Sequence, residues 1–309
     1  MSQFSRTCLA CGSEHLNDLG ALPPLRSGSF GGQPTEARIA AGHLLRCPTC
    51  DLQFRSPCPT DEELTKLYET LPDTVWEGYE ERPYWPLALS LLNKHAANRE
   101  LLDVGCFGGD MLDWLPAEWQ KHGVEPCKAA RELAGRRGIT MVGHTADDLA
   151  HAESAYGAIV SFDVIEHITQ PLKFLGQLSA ALAQGGCLVL FTGATDSLPY
   201  RLFGRHYWYG SFPEHVSFYS LAWFTWAAER LDMKVSAHHY LTSERRHWKL
   251  WAKQCAQISV HTLFRVLRER GVSETWLARL PLIGRAAAWK TVPWWKQATD
   301  HIMVVLTKK

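Results

Sequence analysis

Four cysteines open the chain in two pairs, Cys8-Leu-Ala-Cys11 and Cys47-Pro-Thr-Cys50. Two residues between cysteines let both thiolates face one ion from a single turn. Two such pairs, 35 residues apart, make a ligand set for tetrahedral Zn²⁺. Four sulfurs close the coordination shell, so the metal expected on Cys8, Cys11, Cys47 and Cys50 is structural. An Fe–S cluster uses the same ligand type. Residues 1–60 are rich in Gly, Pro and Cys and poor in long apolar runs, so they bury little and a metal would help them fold.

The second chemical signal is Leu101-Leu102-Asp103-Val104-Gly105-Cys106-Phe107-Gly108-Gly109-Asp110. An apolar strand delivers an acid and then a glycine-containing turn into a helix, where a ligand can approach backbone N–H groups. The turn is not the G-x-G-x-x-G of a dinucleotide site. Asp103 would repel a pyrophosphate and attract an ammonium, which favours S-adenosylmethionine over NAD. Gly105, Cys106, Phe107 and Gly109 then form the cofactor turn. Glu125, 22 residues after Asp103, ends the next strand, where a carboxylate can accept hydrogen bonds from ribose hydroxyls. Ala146 and Asp147 follow the third strand and could meet the adenine. Phe162 and Asp163 end the fourth.

The acceptor is expected beyond the carboxyl ends of the strands. The long loop after the fifth strand, from Gly193 to Ser220, is dense in aromatic and titratable side chains, and loops on a rigid scaffold are where chemistry concentrates. His215 is the candidate general base, with Glu214 or Asp196 orienting it. His167, on the loop after the fourth strand, is the second candidate. The bland alternative for both is a histidine that only fixes its loop. Tyr68, Trp76 and Tyr79 could close over the cofactor from the N-terminal side, or serve the core.

The elements that must position these groups read clearly from residue 100 onward. Strands at 100–105, 139–143, 157–163 and 187–192, and one ending at 126, alternate with helices near 109–115, 127–137 and 170–183. That is the signature of a parallel α/β sheet. Residues 233–241 and 301–307 read as two further strands, and 244–290 as several helices. The chain divides into a zinc-binding module (1–60), a helical connector (61–98), an α/β core (99–243), a helical insertion (244–299) and a last strand (300–309).

Composition narrows the class. The chain has 309 residues, 46% apolar and 21% charged, with 32 Lys+Arg against 32 Asp+Glu. Zero net charge argues against nucleic acid as partner. Nine cysteines without an export signal fit a reducing, cytoplasmic setting. Residues 241–300 carry 11 Lys/Arg, 4 Asp/Glu and six of the 13 tryptophans. This is either a helical cap with a solvated basic face or a weak peripheral membrane contact.

The run LLDVGC, the acid after the second strand, Asp163-Val-Ile-Glu-His167-Ile and Gly185-Gly-Cys-Leu-Val-Leu190 together resemble the class I S-adenosylmethionine-dependent methyltransferases, over about residues 99–240. Phe107 departs from the family, which has a glycine there. The resemblance implies a Rossmann-like seven-stranded methyltransferase sheet. A four-cysteine module followed by Asp18-Leu19-Gly20-Ala21-Leu22-Pro23 is similar to bacterial methyltransferases of sugars and related natural products, which implies a small-molecule or glycan-linked acceptor. In the sugar C-methyltransferases the loop reads Tyr-His-Glu-His, the last being the base. Here it reads Phe212-Pro213-Glu214-His215, so O-methylation stands beside C-methylation. A module that holds S-adenosylmethionine without turnover is the non-enzymatic alternative, and a nucleic-acid methyltransferase the third. The sequence leaves the oligomeric state open.

Overall fold

The computed structural model describes residues 5–23, 29–30, 33–34, 41–69, 81–151, 155–281, 283–287, 293, 295 and 297–309. The first strands are β1 (Asn17–Ala21), β2 (Ser29–Phe30), β3 (Gln33–Pro34), β4 (His43–Arg46) and β5 (Gln53–Ser56). The core adds β6 (Glu100–Val104), β7 (Gln120–Val124), β8 (Thr140–Gly143), β9 (Tyr156–Phe162), β10 (Leu182–Gly193), β11 (Ser217–Phe218), β12 (Met233–Leu241) and β13 (His301–Lys308).

Seven of them form one sheet in the order β12-β13-β10-β9-β6-β7-β8. β6 to β10 run parallel, and β13 is antiparallel to both of its neighbours. β9 and β10 are buried on both faces, as parallel strands under helices on both sides must be. Their apolar runs therefore do not alternate. The order reverses at β6, so the turn after Val104 and the ends of β9 and β10 border the crevice where ligands bind such sheets. Among the described residues of 244–290 lie one long helix, Trp248–Glu269, and two short ones, Glu274–Leu277 and Gly284–Ala287.

The N-terminal sheet has the order β1-β4-β5-β11. Its fourth strand comes from the loop after β10, with Ser217 opposite Phe54 and Phe218 opposite Gln53. Among the described residues the module has no core of its own. Cys8, Cys47, Cys50, Leu52 and Phe54 pack in the same buried cluster as Leu102, Ile159, Tyr219 and Trp223. The helix Asp61–Glu69 that follows opens on a capping box. The Thr60 hydroxyl accepts from Glu63 N (3.2 Å), and Thr60 N donates to the Glu63 carboxylate (2.8 Å). Among the described residues no helix is long and apolar enough to cross a membrane.

Candidate functional site

The turn after β6 takes its shape from three residues in left-handed backbone, Gly105 (φ +84°), Phe107 (φ +50°) and Gly109 (φ +83°). Glycine adopts such angles freely; Phe107 does so at a cost of about 1–2 kcal/mol. Gly109 is also fixed by contact, since a Cβ there would lie 2.1 Å from Ile139 Cδ1. The Phe107 side chain is 47% exposed, so the ring stands outward and the loop keeps its path.

Two acids meet beneath this turn. Asp103 is buried, and among the described residues its carboxylate accepts no hydrogen bond. Burial and the neighbouring Glu125 charge push it up to about 8. Glu125 is buried too, and accepts from Phe107 N (3.1 Å) and Cys127 N (2.9 Å). Burial raises it to about 7 against those two bonds. An ammonium would offset the stranded charge of Asp103, and Glu125 keeps lone pairs for hydroxyl donors. The donor-free, buried acid is the observation by which these residues fit S-adenosylmethionine.

Asp163, in left-handed backbone (φ +53°), completes this side. It accepts from Tyr84 Oη (3.3 Å), and burial and Glu166 raise it to about 6. Tyr84 stacks on Phe191 (4.0 Å between rings) and meets Phe162 edge-on. Ala146 is buried at the start of a short 3₁₀ turn. Asp147 does not join the cluster. It is exposed and its carboxylate pairs with Lys173 (2.9 Å) and Gln177 (2.5 Å), which hold it on the surface.

The loop expected to meet the acceptor is anchored on Glu166. This carboxylate is buried and accepts from Tyr209 Oη (2.6 Å) and Thr192 Oγ1 (2.9 Å), which ties the loop 204–220 to the end of β10. His215 lies in that loop, 8% exposed, with its ring 5.2 Å from that of His167 and stacked on Phe212 at 4.9 Å. His215 Nδ1 lies 2.9 Å from the Tyr209 carbonyl. A carbonyl only accepts, so Nδ1 carries the proton and Nε2 the lone pair. Burial, then the nearby His167, holds His215 well below the usual histidine range, so the ring is neutral at pH 7. His167 Nδ1 donates in the same way to the Glu214 carbonyl (3.1 Å), and burial lowers it also.

His215 Nδ1 is not held by either expected acid. The Glu214 side chain does not hold His215; the Tyr209 backbone does, because the loop folds back on itself between 209 and 215. Asp196 accepts from Leu221 N (2.9 Å) and Tyr240 Oη (2.8 Å), so it fixes the start of the helix Leu221–Arg230. Tyr68 meets His167 edge-on at 6.2 Å; Trp76 and Tyr79 lie outside the described residues.

Three groups were not singled out by sequence. Arg55, on β5, is fully buried and donates to the carbonyls of Gly210 (2.9 Å), Phe212 (2.9 Å), His215 (3.2 Å) and Ala41 (2.5 Å). One guanidinium from the N-terminal sheet thus shapes the loop that carries His215. Burial lowers it to about 10, which leaves it charged at neutral pH. Asp300 and His301 sit at the start of β13. His301 stacks on Phe191 (5.1 Å), and against the effect of burial the Asp300, Asp163 and Glu166 carboxylates lift it to about 9. Asp300 also accepts from Tyr207 Oη (2.5 Å) and lines a narrow cleft with Thr195, Tyr200 and Tyr209. An Asp-His pair before an apolar strand was the available signal.

The four cysteines converge. Cys8 and Cys50 sulfurs lie 3.5 Å apart, as do those of Cys11 and Cys47, and all four fall within 4.8 Å of one another. That spacing fits one tetrahedral ion with sulfur ligands.

Sheet order, the acid-tipped strands and the glycine turn define a class I S-adenosylmethionine-dependent methyltransferase. A family model for the methyltransferase domain matches residues 76–238, just over half of the chain, and the chain belongs to that family. It is similar to the ubiquinone biosynthesis O-methyltransferase of Cereibacter sphaeroides, 32% identical over 99 residues. That match covers 30% of this chain and 40% of the relative, so less than half of that protein is represented. Among solved structures, a methyltransferase of Haloferax volcanii in complex with the Trm112 methyltransferase activator superposes with a TM-score of 0.51 at 13% identity, over 76% of this chain and 93% of that one. A methyltransferase of Thermotoga maritima gives 0.45 at 15% identity, over 73% and 89%.

Proposed function

We propose that this methyltransferase acts on a hydroxyl (or carbon) of a small or glycan-linked acceptor such as a sugar, with His215 as general base. The observation that carries the reading is the fixed tautomer of His215. Its Nδ1 proton is committed to the Tyr209 carbonyl, its ring is neutral, and Nε2 is the one atom left to take a proton. S-adenosylmethionine, when bound, supplies a methyl group already activated on a sulfonium. The chain's residues then have two tasks, holding and deprotonating. Asp103 would hold the amine, Glu125 the ribose hydroxyls, and Gly105, Cys106 and Phe107 the backbone cradle. His215 would take the proton that the acceptor must lose, while Arg55 and Tyr209 keep the loop in register. The name of the Cereibacter sphaeroides relative supports an oxygen acceptor. A structural Zn²⁺ on Cys8, Cys11, Cys47 and Cys50 belongs to the same reading, as does a reducing, cytoplasmic setting for the free thiols.

The test is His215→Gln with calorimetry and turnover on a panel of nucleotide sugars and phenols. S-adenosylmethionine affinity is expected to stay and turnover to fall by about 10²–10⁴-fold. Turnover near that of the unaltered protein removes His215 from the role.

A further inference from the structure

The helix Trp248–Glu269 is anchored along one seam. Gln254, Ile258, His261 and Phe264 are its buried residues, spaced four, three and three apart. One turn before Gln254, Leu250 and Trp251 flank that seam at about 40° and 60° to either side, and Trp248 lies about 120° round the helix. The core does not follow. All six residues from Trp248 to Lys253, sequence WKLWAK, are exposed, with Trp248 at 73% and Trp251 at 51%. Six residues are about 9 Å of helix, so Leu250 and Trp251 carry the apolar face past the protein that covers it, with Trp248 beside them. Single exposed apolar residues are ordinary, but two tryptophans and Leu250 together on one helix end are not.

The charge around this tip is mostly basic: Arg245, Arg246, Lys249 and Lys253 stand against Glu244, and Arg245 pairs with Glu81 (3.6 Å). Residues 245–268 carry six Lys/Arg and no Asp/Glu. Lys249 reaches over the Trp248 ring at 5.6 Å. The tip is therefore tryptophan and leucine ringed by ammonium and guanidinium groups, the composition that settles at a lipid–water boundary and is drawn to anionic headgroups. The helix also leads back to the acceptor side. Ile258 packs with Tyr200 and Phe203, whose own helix, Leu198–Phe203, exposes Leu198 (67%) and Leu202 (55%). Tyr200 lines the cleft beside Asp300.

We propose that the WKLWAK end of this helix is a docking surface for an anionic phospholipid bilayer, which it enters only to the depth of its tryptophan rings. For the acceptor, this rests on the methyltransferase reading and adds that the substrate is presented at a membrane surface, as a lipid-linked molecule would be. The docking itself does not depend on catalysis, so the two can fail separately.

The experiment is co-sedimentation of the full chain with vesicles of phosphatidylcholine, alone or mixed with phosphatidylglycerol, at low ionic strength. Binding to the mixed vesicles is expected, at least tenfold weaker without the anionic lipid. Trp248→Ser with Trp251→Ser, and separately Lys249→Glu with Lys253→Glu, should each weaken it by tenfold or more at unchanged S-adenosylmethionine affinity. Absence of vesicle binding overturns the proposal, as does equal binding by both double variants. A dimer in light scattering that the Trp variant dissolves would assign the tip to a second copy of the chain. Retention of a single-stranded oligonucleotide lost in the same variants, without vesicle binding, would assign it to nucleic acid. Either result overturns the membrane reading.

Discussion

If Asp103 holds the amine of S-adenosylmethionine, cofactor binding should depend on pH. Its carboxyl sits at about 8 in the free protein, because burial and Glu125 oppose its ionisation. An ammonium is held by the carboxylate, so below pH 8 a proton must leave before the ligand binds. At pH 7 this costs about 1.4 kcal/mol, or tenfold in affinity, and each further unit down costs tenfold more. The dissociation constant for S-adenosylmethionine should therefore fall about tenfold from pH 6 to 7, again toward 8, and then level off. Calorimetry in buffers of different ionisation enthalpy should register close to one proton released per ligand at pH 7. Asp103→Asn should lose about 1.5–3 kcal/mol of affinity at pH 8 and most of the slope. The same shift acts on stability. A raised carboxyl stabilises the folded form fully below its unfolded value of 3.8, and that contribution is lost as pH rises toward about 8. The melting temperature of the free protein should fall between pH 5.5 and 8.5, and saturating S-adenosylmethionine should flatten the fall. An affinity flat from pH 6 to 8, or an equal slope in the Asn variant, would refute the assignment of the amine to Asp103.

Two other perturbations test the frame around the site. Arg55→Lys keeps a charge but cannot reach four carbonyls from one ammonium; stranding buried acceptors costs about 1–3 kcal/mol each, so thermal unfolding should come several degrees earlier and turnover should drop more than cofactor affinity. Removing metal with a strong chelator, or replacing Cys47 by Ser, should release one equivalent of zinc by elemental analysis and lower activity through the acceptor loop, whereas a chelated protein of unchanged melting point and turnover would contradict a structural metal.

The large sheet was legible because buried parallel strands are continuous apolar runs, as in Gly157–Phe162 and Cys187–Thr192, separated by amphipathic helices. The meeting of Asp103 with Glu125 and the convergence of the four cysteines were legible because strand ends and Cys-x2-Cys turns place such groups together. What was hidden depends on distance in sequence. β11 is two residues long, too short for any period, and exists only because β5 stands beside it. Arg55 reads as one cation in a polar stretch until the loop 210–215 wraps it. The hold on His215 comes from a backbone carbonyl, which every residue has, so sequence pointed instead to Glu214 and Asp196. Asp147 stands apart from Asp103 and Glu125, paired at the surface with Lys173 and Gln177 on the helix Pro171–Ala181.

The shared sheet and shared core of the N-terminal sixty residues have a practical outcome. They cannot be traded between relatives as an independent cassette, because the donor would arrive without the strand Ser217–Phe218 that finishes its edge and the recipient would lose the guanidinium that folds its acceptor loop. Chimaeras should succeed only when both stretches are exchanged together, and specificity should travel with that pair.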